Sequence, residues 1–323
     1  MKLIRSVHSL AAALACAGLM GTTVGVQAQT VSVSSIVEHP ALDSIKDGVH
    51  KALSDAGYTD KKDFKWQFQT AQGNPAIAAQ IARKFVGDDS DVIVAISTPS
   101  AQSAVAATKN IPIVYSAVTD PVAAHLVPSL GPSGTNVTGV SDALALEAQV
   151  ELIKKVVPHA KKVGMVYNPG EANSAVVVAE MKKLLNQQGM ELVEATAART
   201  VDVGAAARSL VGKVDVIYTN TDNNVVSAYE ALVKVGMDAK IPLVASDTDS
   251  VGRGAIAALG VNYYDLGVQT GKMVIRILNG EKPGDIASET SSELELFVNP
   301  KAAKQQGVEL SEEFIKSAQK VVE

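Results

Sequence analysis

Asp91-Val-Ile-Val-Ala-Ile-Ser-Thr-Pro-Ser-Ala-Gln102 decides how the chain is read. Its first part, Asp91 to Ile96, is a short apolar run rich in β-branched residues, the pattern of a parallel strand covered on both faces. The polar group Ser97-Thr98-Pro99-Ser100 ends that strand. Thr98 suits an N-cap and Pro99 a first helical residue, so a helix is expected from Ser100 onward, its free backbone N–H groups aimed at the strand end. Such a helix start attracts anions. Any capped βα junction shares this local pattern, so the stretch gains weight only from a second copy.

That copy begins at Asp215 with Val-Ile-Tyr-Thr-Asn-Thr-Asp-Asn-Asn224, again an Asp, a short apolar strand and a polar tip before a helical stretch. Ile111-Pro-Ile-Val-Tyr-Ser-Ala-Val-Thr-Asp120 follows the first copy, and Ile241-Pro-Leu-Val-Ala-Ser-Asp-Thr-Asp249 follows the second. Upstream, Ile36-Val-Glu-His-Pro40 is matched by Val166-Tyr-Asn-Pro169. Spacing and chemistry match better than identity does, which describes an architectural repeat of two β/α units.

At 323 residues, 47% hydrophobic, the chain exceeds one ordinary core and suits two lobes of roughly 120–150 residues each. Its net charge of −5 argues against a nucleic-acid partner, which would favour a basic face. Met1 to Ala28 reads as an export signal: Lys2 and Arg5 precede an apolar core from Leu10 to Leu19, and Val26-Gln27-Ala28 offers a small residue for cleavage after Ala28. A membrane anchor would need about 20 unbroken apolar residues, and Gly18, Gly21, Thr22 and Thr23 interrupt the run. Lipid anchoring at Cys16 is the less favoured alternative. Cys16 is the single cysteine, so cleavage leaves no disulfide, thiolate or Cys metal ligand.

From Val31 strands and helices alternate, the signature of an α/β fold with mostly parallel sheets covered by helices on both faces. The expected layout is a signal peptide over 1–28, a first lobe of 29–141 plus 262–285 and a second of 142–261 plus 286–323. Two doubly wound lobes joined by three crossings would form a hinge. Dinucleotide, P-loop and G-x-S-x-G motifs are missing, so those chemistries lack their local requirement. The five histidines show no ligand-like spacing and read as surface or structural residues, with His39 at a strand tip. Neither cofactor nor metal is expected.

What remains is polar residues at the carboxyl ends of parallel strands, where open α/β sheets bind ligands. The first lobe offers Glu38, Thr98, Ser100 with Ala101 beside it, Ser116, Thr119 and Asp120. The second offers Asn168, Asn173, Ser174, Thr219, Asp222, Ser246 and Asp247. Hydroxyls and helix N–H groups suit a carboxylate; Glu38, Asp120, Asp222 or Asp247 suits an ammonium. Each of these residue types also caps helices and turns without any ligand.

Glu38-His-Pro-Ala-Leu-Asp43, Ser97-Thr-Pro-Ser-Ala-Gln102, Ser116-Ala-Val-Thr-Asp-Pro121, Tyr167-Asn-Pro169 and Ala245-Ser-Asp-Thr-Asp-Ser250, followed by Arg253-Gly-Ala-Ile-Ala-Ala-Leu-Gly260, together resemble the substrate-binding components of ABC importers. The branch most resembled is the tryptophan/tyrosine-binding one, in order along the whole mature chain. The resemblance implies a monomeric, non-catalytic periplasmic binding protein of the first type, closing on a small amino acid-like ligand and serving a membrane permease. It also places the Ser-Asp-Thr-Asp segment at the cleft. The expected ligand is zwitterionic, its carboxylate on Thr98, Ser100 and Ser116 or Thr119, its ammonium on Asp247 or, second, Asp222. An exported enzyme of unrecognised activity is the alternative reading; a ligand-responsive repressor would need a DNA-binding helix pair where this chain has its export signal.

Overall fold

A computed structural model describes residues 28–59, 64–291 and 293–322. The expected signal sequence and Cys16 lie outside the described residues, apart from Ala28 itself.

The first lobe runs β1 (Gln29–Ser35), α1 (Pro40–Asp55), β2 (Phe64–Thr70), α2 (Pro75–Gly87), β3 (Val92–Ile96), α3 (Thr98–Ala107), β4 (Ile113–Ser116) and β5 (Val137–Ser141). The chain then crosses to α4 (Leu146–Val156), β6 (Lys162–Tyr167), α5 (Ala172–Gln187), β7 (Glu191–Thr196), α6 (Val203–Ser209), β8 (Val216–Thr219), α7 (Asn223–Ser227), α8 (Tyr229–Ala239), β9 (Leu243–Ala245), α9 (Asp249–Gly252) and β10 (Ala257–Val261). It returns with α10 (Tyr263–Leu278) and β11 (Glu289–Thr290), then crosses again to β12 (Leu294–Val298), α11 (Pro300–Gln305), α12 (Glu312–Lys316) and β13 (Lys320–Val321). The last crossing follows Thr290 and precedes Leu294 rather than falling at 285–286, because Glu289 and Thr290 pair in parallel with Val140 and Ser141 and so stay with the first sheet.

Each lobe has one sheet, ordered β11-β5-β4-β3-β1-β2 in the first and β13-β12-β10-β9-β8-β6-β7 in the second. The two share a core order: β2-β1-β3-β4-β5 and β7-β6-β8-β9-β10 are the same doubly wound arrangement. In both, the order reverses at the first strand of the lobe, and the crevice beyond the carboxyl ends there is the ligand position of open α/β sheets. The two repeat aspartates do the same work. Asp91 Oδ2 accepts the backbone N–H of Thr30 at 2.7 Å, and Asp215 Oδ2 accepts those of Lys161 and Lys162 at 2.8 Å, each tying the start of its strand to the neighbouring first strand.

Every residue of β3 and of β8 is buried, as an apolar strand covered on both faces requires. Burying a Val or Ile side chain contributes about 1.5–3 kcal/mol, so these central strands anchor their lobes. On the outer face of the first lobe, α1 and α10 meet almost backbone to backbone. A Cβ at Gly48 would lie 2.3 Å from the Tyr264 carbonyl oxygen, one at Gly267 2.3 Å from that of Ile45, and one at Gly271 2.6 Å from the Ala52 Cβ. Only glycine permits that approach, and it fixes the position of Tyr263 at the amino end of α10.

Candidate functional site

The carboxyl ends of the two sheets face each other. Ser97 Oγ donates to Asn223 Oδ1 across the gap at 3.0 Å, and the Thr119 and Thr221 hydroxyls stand 3.4 Å apart. Between the lobes lies a small cavity of about 20 Å³, bounded by His39, Ser97, Asp142, Asn173, Asp247 and Tyr263 among others. A second cavity of about 250 Å³ adjoins it beside the first crossing and shares Thr119, Asp142 and Thr221 with it. The smaller space is of the order of one water molecule, whose share of liquid volume is about 30 Å³.

Acidic side chains dominate its charged lining. Asp142 and Asp247 are 3% and 1% exposed, and among the described residues no Lys or Arg lines the small cavity. Burial pushes both carboxyls up, partly offset at Asp142 by hydrogen bonds from Tyr263 and Thr119 and at Asp247 by those from Ser250. Asp142 accepts from Thr119 Oγ1 at 3.2 Å and from Tyr263 Oη at 3.1 Å. Asp247 takes the Ser250 backbone N–H at 2.9 Å and its hydroxyl at 2.8 Å. His39 is also buried, and burial together with the Arg253 charge holds its imidazole down at about 3, so it is neutral. The cavity therefore presents two buried carboxyl groups, one neutral imidazole and several hydroxyls.

The sequence matches the family of ABC transporter substrate binding proteins over residues 30–322. The chain belongs to this family. It is 44% identical to the tyrosine-binding protein of Clostridioides difficile (strain R20291) over 276 residues, which cover 85% of this chain and 80% of that one. Its fold is similar to an ABC domain in complex with L-Trp from Streptococcus pneumonia, with a TM-score of 0.88 at 33% identity over 92% of this chain and 100% of that one. It is also similar to the ligand-free, open structure of a substrate binding protein with adhesive properties from Clostridium difficile, with a TM-score of 0.68 at 40% identity over 91% and 99%. The more identical open structure fits less well than the less identical complex, so the lobes here stand in an arrangement nearer to that of the complex.

In this substrate-binding protein the expected site residues separate into two groups. Thr98 and Ser100, each 1% exposed, leave their hydroxyls without a partner, although neither lines either cavity, and Ala101 is buried beside them. Thr119 and Asn173 line the small cavity, as does Asp247, while Asp120 and Ser246 line the larger one. The others are spent within their own lobes. Ser116 shares a 2.7 Å hydrogen bond with Thr270 of α10, and Thr219 faces Tyr229 and the Val244 carbonyl. Asp222 accepts the Asn168 N–H at 2.6 Å, the Ser174 hydroxyl at 2.6 Å and the Val225 N–H at 3.0 Å, bracing β6, α5 and α7 together. It lies outside both cavities, and with three donors satisfied it has little left for an ammonium. The Asn168 side chain accepts from Gly170 N–H at 3.0 Å. Glu38 is exposed and lines neither cavity.

The start of α3 also differs from the expected pattern. Thr98 is the first helical residue and Ser97 the cap position, held at φ 75° with no capping hydrogen bond. The Ser97 hydroxyl is directed across the gap to Asn223 instead, and a non-glycine residue in that backbone region stores roughly 1–3 kcal/mol of strain. His39, Asp142, Thr221, Asn223 and Tyr263 also line it, none of them expected as ligand contacts. For Asp142 a signal existed, since it directly follows the short strand leading out of the first lobe.

Behind Asn223 stands Glu171, whose Oε2 accepts from Asn223 Nδ2 at 2.5 Å and from Asn173 Nδ2 at 3.1 Å. Burial, and then the neighbouring Asp222, raise its carboxyl to about 7. An unfolded glutamate titrates near about 4.3. Between those values the folded chain keeps a proton that the unfolded chain has lost, so stability falls as pH rises through this window. Glu171→Gln is expected to flatten the decline of the ligand-free melting temperature between about pH 4.5 and 7. Melting curves of both proteins across that range check this; an unchanged slope would mean that Glu171 is already ionised in the fold.

Proposed function

We propose that the chain is the exported, non-catalytic solute-binding component of an ABC importer, that it binds an aromatic amino acid between its lobes as a monomer, and that it delivers it to a membrane permease. The observation that carries the ligand class is the pair of buried aspartates, Asp142 and Asp247, on a cavity with no lining Lys or Arg among the described residues. An ammonium beside them would favour the ionised form of both, and a buried charge is stable only when paired and hydrogen-bonded. The carboxylate goes to the first lobe, where the ten-residue α3 begins and Thr98 and Ser100 have hydroxyls without partners. The tyrosine of the Clostridioides difficile protein's name and the L-Trp of the Streptococcus pneumonia complex support an aromatic side chain. Closure of two lobes about three crossings would present one face of both to the permease. Among the described residues no helix is long and apolar enough to span a membrane, which suits a protein released by cleavage after Ala28.

Calorimetric titration of the mature protein with the amino acids tests this reading, together with mass analysis of the exported chain and of the recovered ligand. Saturable binding of tyrosine or tryptophan, recovered unaltered, from a protein beginning at Gln29 is expected. Absence of binding by any amino acid, or chemical conversion of the ligand, refutes it.

A further inference from the structure

The two copies of the sequence repeat meet across the gap at their polar tips. Ser97 directly follows β3, and Asn223 opens α7 just beyond the end of β8. In each sheet that strand stands two places from the one that leads into a crossing, with β4 between β3 and β5, and β9 between β8 and β10. A bond between Ser97 and Asn223 therefore acts away from the pivot, where opening of the lobes must break it. Its length is 3.0 Å, and both residues are 4% exposed. Every atom of it belongs to the protein.

Both partners are released from local duties. Ser97 occupies the cap position of α3 without making a capping bond, and its backbone at φ 75° turns the hydroxyl toward the second lobe. In the second copy Asp222 does the capping, accepting the Val225 N–H at 3.0 Å, which leaves the Asn223 side chain for other use. Glu171, 6% exposed on the loop before α5, then fixes that side chain. One oxygen, Oε2, accepts the Asn223 backbone N–H at 3.3 Å and its Nδ2 at 2.5 Å, together with Asn173 Nδ2 at 3.1 Å. With Nδ2 committed to a carboxyl oxygen, Oδ1 is left to face Ser97, and the amide cannot turn over without setting its own oxygen against that of Glu171.

We propose that Ser97 and Asn223 form a latch that holds the lobes together without help from any ligand atom, and that Glu171 is its positioning residue. The bond exists only where the two tips meet. Opening the gap hydrates both groups, so removing one partner penalises the closed arrangement alone, where the other is left buried and unpaired. A smaller closed population lowers the affinity for anything gripped between the lobes, by up to the same factor. That effect on affinity rests on the proposed amino acid function; the latch itself does not.

The test has one arm without ligand and one with it. Small-angle scattering of the ligand-free protein should give a larger radius of gyration for Ser97→Ala than for wild type. The melting temperature of that variant should stay within about 2 °C of wild type, because neither a helix cap nor a core contact is lost. Calorimetric titration with tyrosine and with tryptophan should show affinity for the tighter of the two lowered roughly three- to tenfold in Ser97→Ala and in Asn223→Ala. The double variant should lose no more, since either substitution removes the one shared bond. Glu171→Ala should match the single variants, whereas Glu171→Gln, which keeps an acceptor oxygen for Asn223, should stay within about twofold of wild type. Equal radii for wild type and Ser97→Ala overturn the latch, as do additive losses in the double variant, which would mean that each residue touches the ligand separately. Equal losses in Glu171→Ala and Glu171→Gln overturn the positioning role, and if Glu171→Ala folds poorly the Ser97 and Asn223 variants still decide the latch. Binding of neither amino acid overturns the proposed function, and the radii then decide the latch without it.

Discussion

Asp247→Asn and Asp142→Asn are each expected to weaken binding of the aromatic amino acid by roughly 30-fold or more. Truncating one partner of a buried, hydrogen-bonded charge pair costs about 2–5 kcal/mol, and each ~1.4 kcal/mol is a factor of ten. Both carboxyls are buried and burial raises them in the free protein, so a cation placed beside them would favour their ionised form. Removing that charge should leave the ligand-free fold little changed or slightly more stable. An asparagine at 247 keeps an oxygen for the Ser250 N–H, now 2.9 Å from Asp247 Oδ1. An asparagine at 142 keeps one for Thr119 or Tyr263. Titration calorimetry on both variants, with ligand-free melting temperatures alongside, separates the roles. If affinity stays within a few-fold while melting drops, Asp247 is a cap of α9 and Asp142 a brace of the crossing, and neither receives an ammonium.

Gly267→Ala should be strongly destabilising to the first lobe. Its Cβ would fall 2.3 Å from the Ile45 carbonyl oxygen and 2.8 Å from the Ile45 Cα, both backbone atoms that no rotamer change can clear. Overpacking typically costs about 1–3 kcal/mol, and occasionally more; with backbone on both sides about 3 kcal/mol is expected. At roughly 2–4 °C per kcal/mol for a domain of this scale, the melting temperature drops by about 6–12 °C. Because α10 begins at Tyr263, which reaches Asp142 at 3.1 Å, the shift that relieves the clash should also loosen ligand affinity. Gly280→Ala is the contrast: nothing lies within 4 Å of its Cβ, although its φ of 98° brings a turn strain of its own. A Gly267→Ala protein that melts within about 2 °C of wild type would show that α1 and α10 can separate without penalty.

Much of the architecture is written in short-range pattern. The apolar runs at Val92–Ile96 and Val216–Thr219, each behind an Asp and ahead of a polar tip, mark equivalent strands. The repeat they define is visible in space as one strand order used twice. Such features are legible because burial on both faces of a strand and capping at its end act over a few residues. The motifs of the substrate-binding family are legible for a related reason, since a strand tip and the helix after it are contiguous in sequence.

Which polar residue is free to meet a ligand is not of that kind. Ser116 and Thr98 both stand at strand ends, yet Ser116 is spent on Thr270, 154 positions away, while Thr98 has no partner. Asp222 and Asp247 follow neighbouring apolar strands of one lobe, but Asp222 is taken up by Asn168 and Ser174 as well as its own helix, and Asp247 keeps a face on the cavity. Asp142 joins the site only because Tyr263, 121 residues later, is brought back by the second crossing, and Ser97 spans the lobes only through Asn223 at a separation of 126. Sequence alone therefore determined the two β/α lobes, their repeat and the set of strand-end residues available for binding. Tertiary structure decided which of these groups remain unpaired, because hydrogen-bond saturation depends on partners that local pattern does not encode.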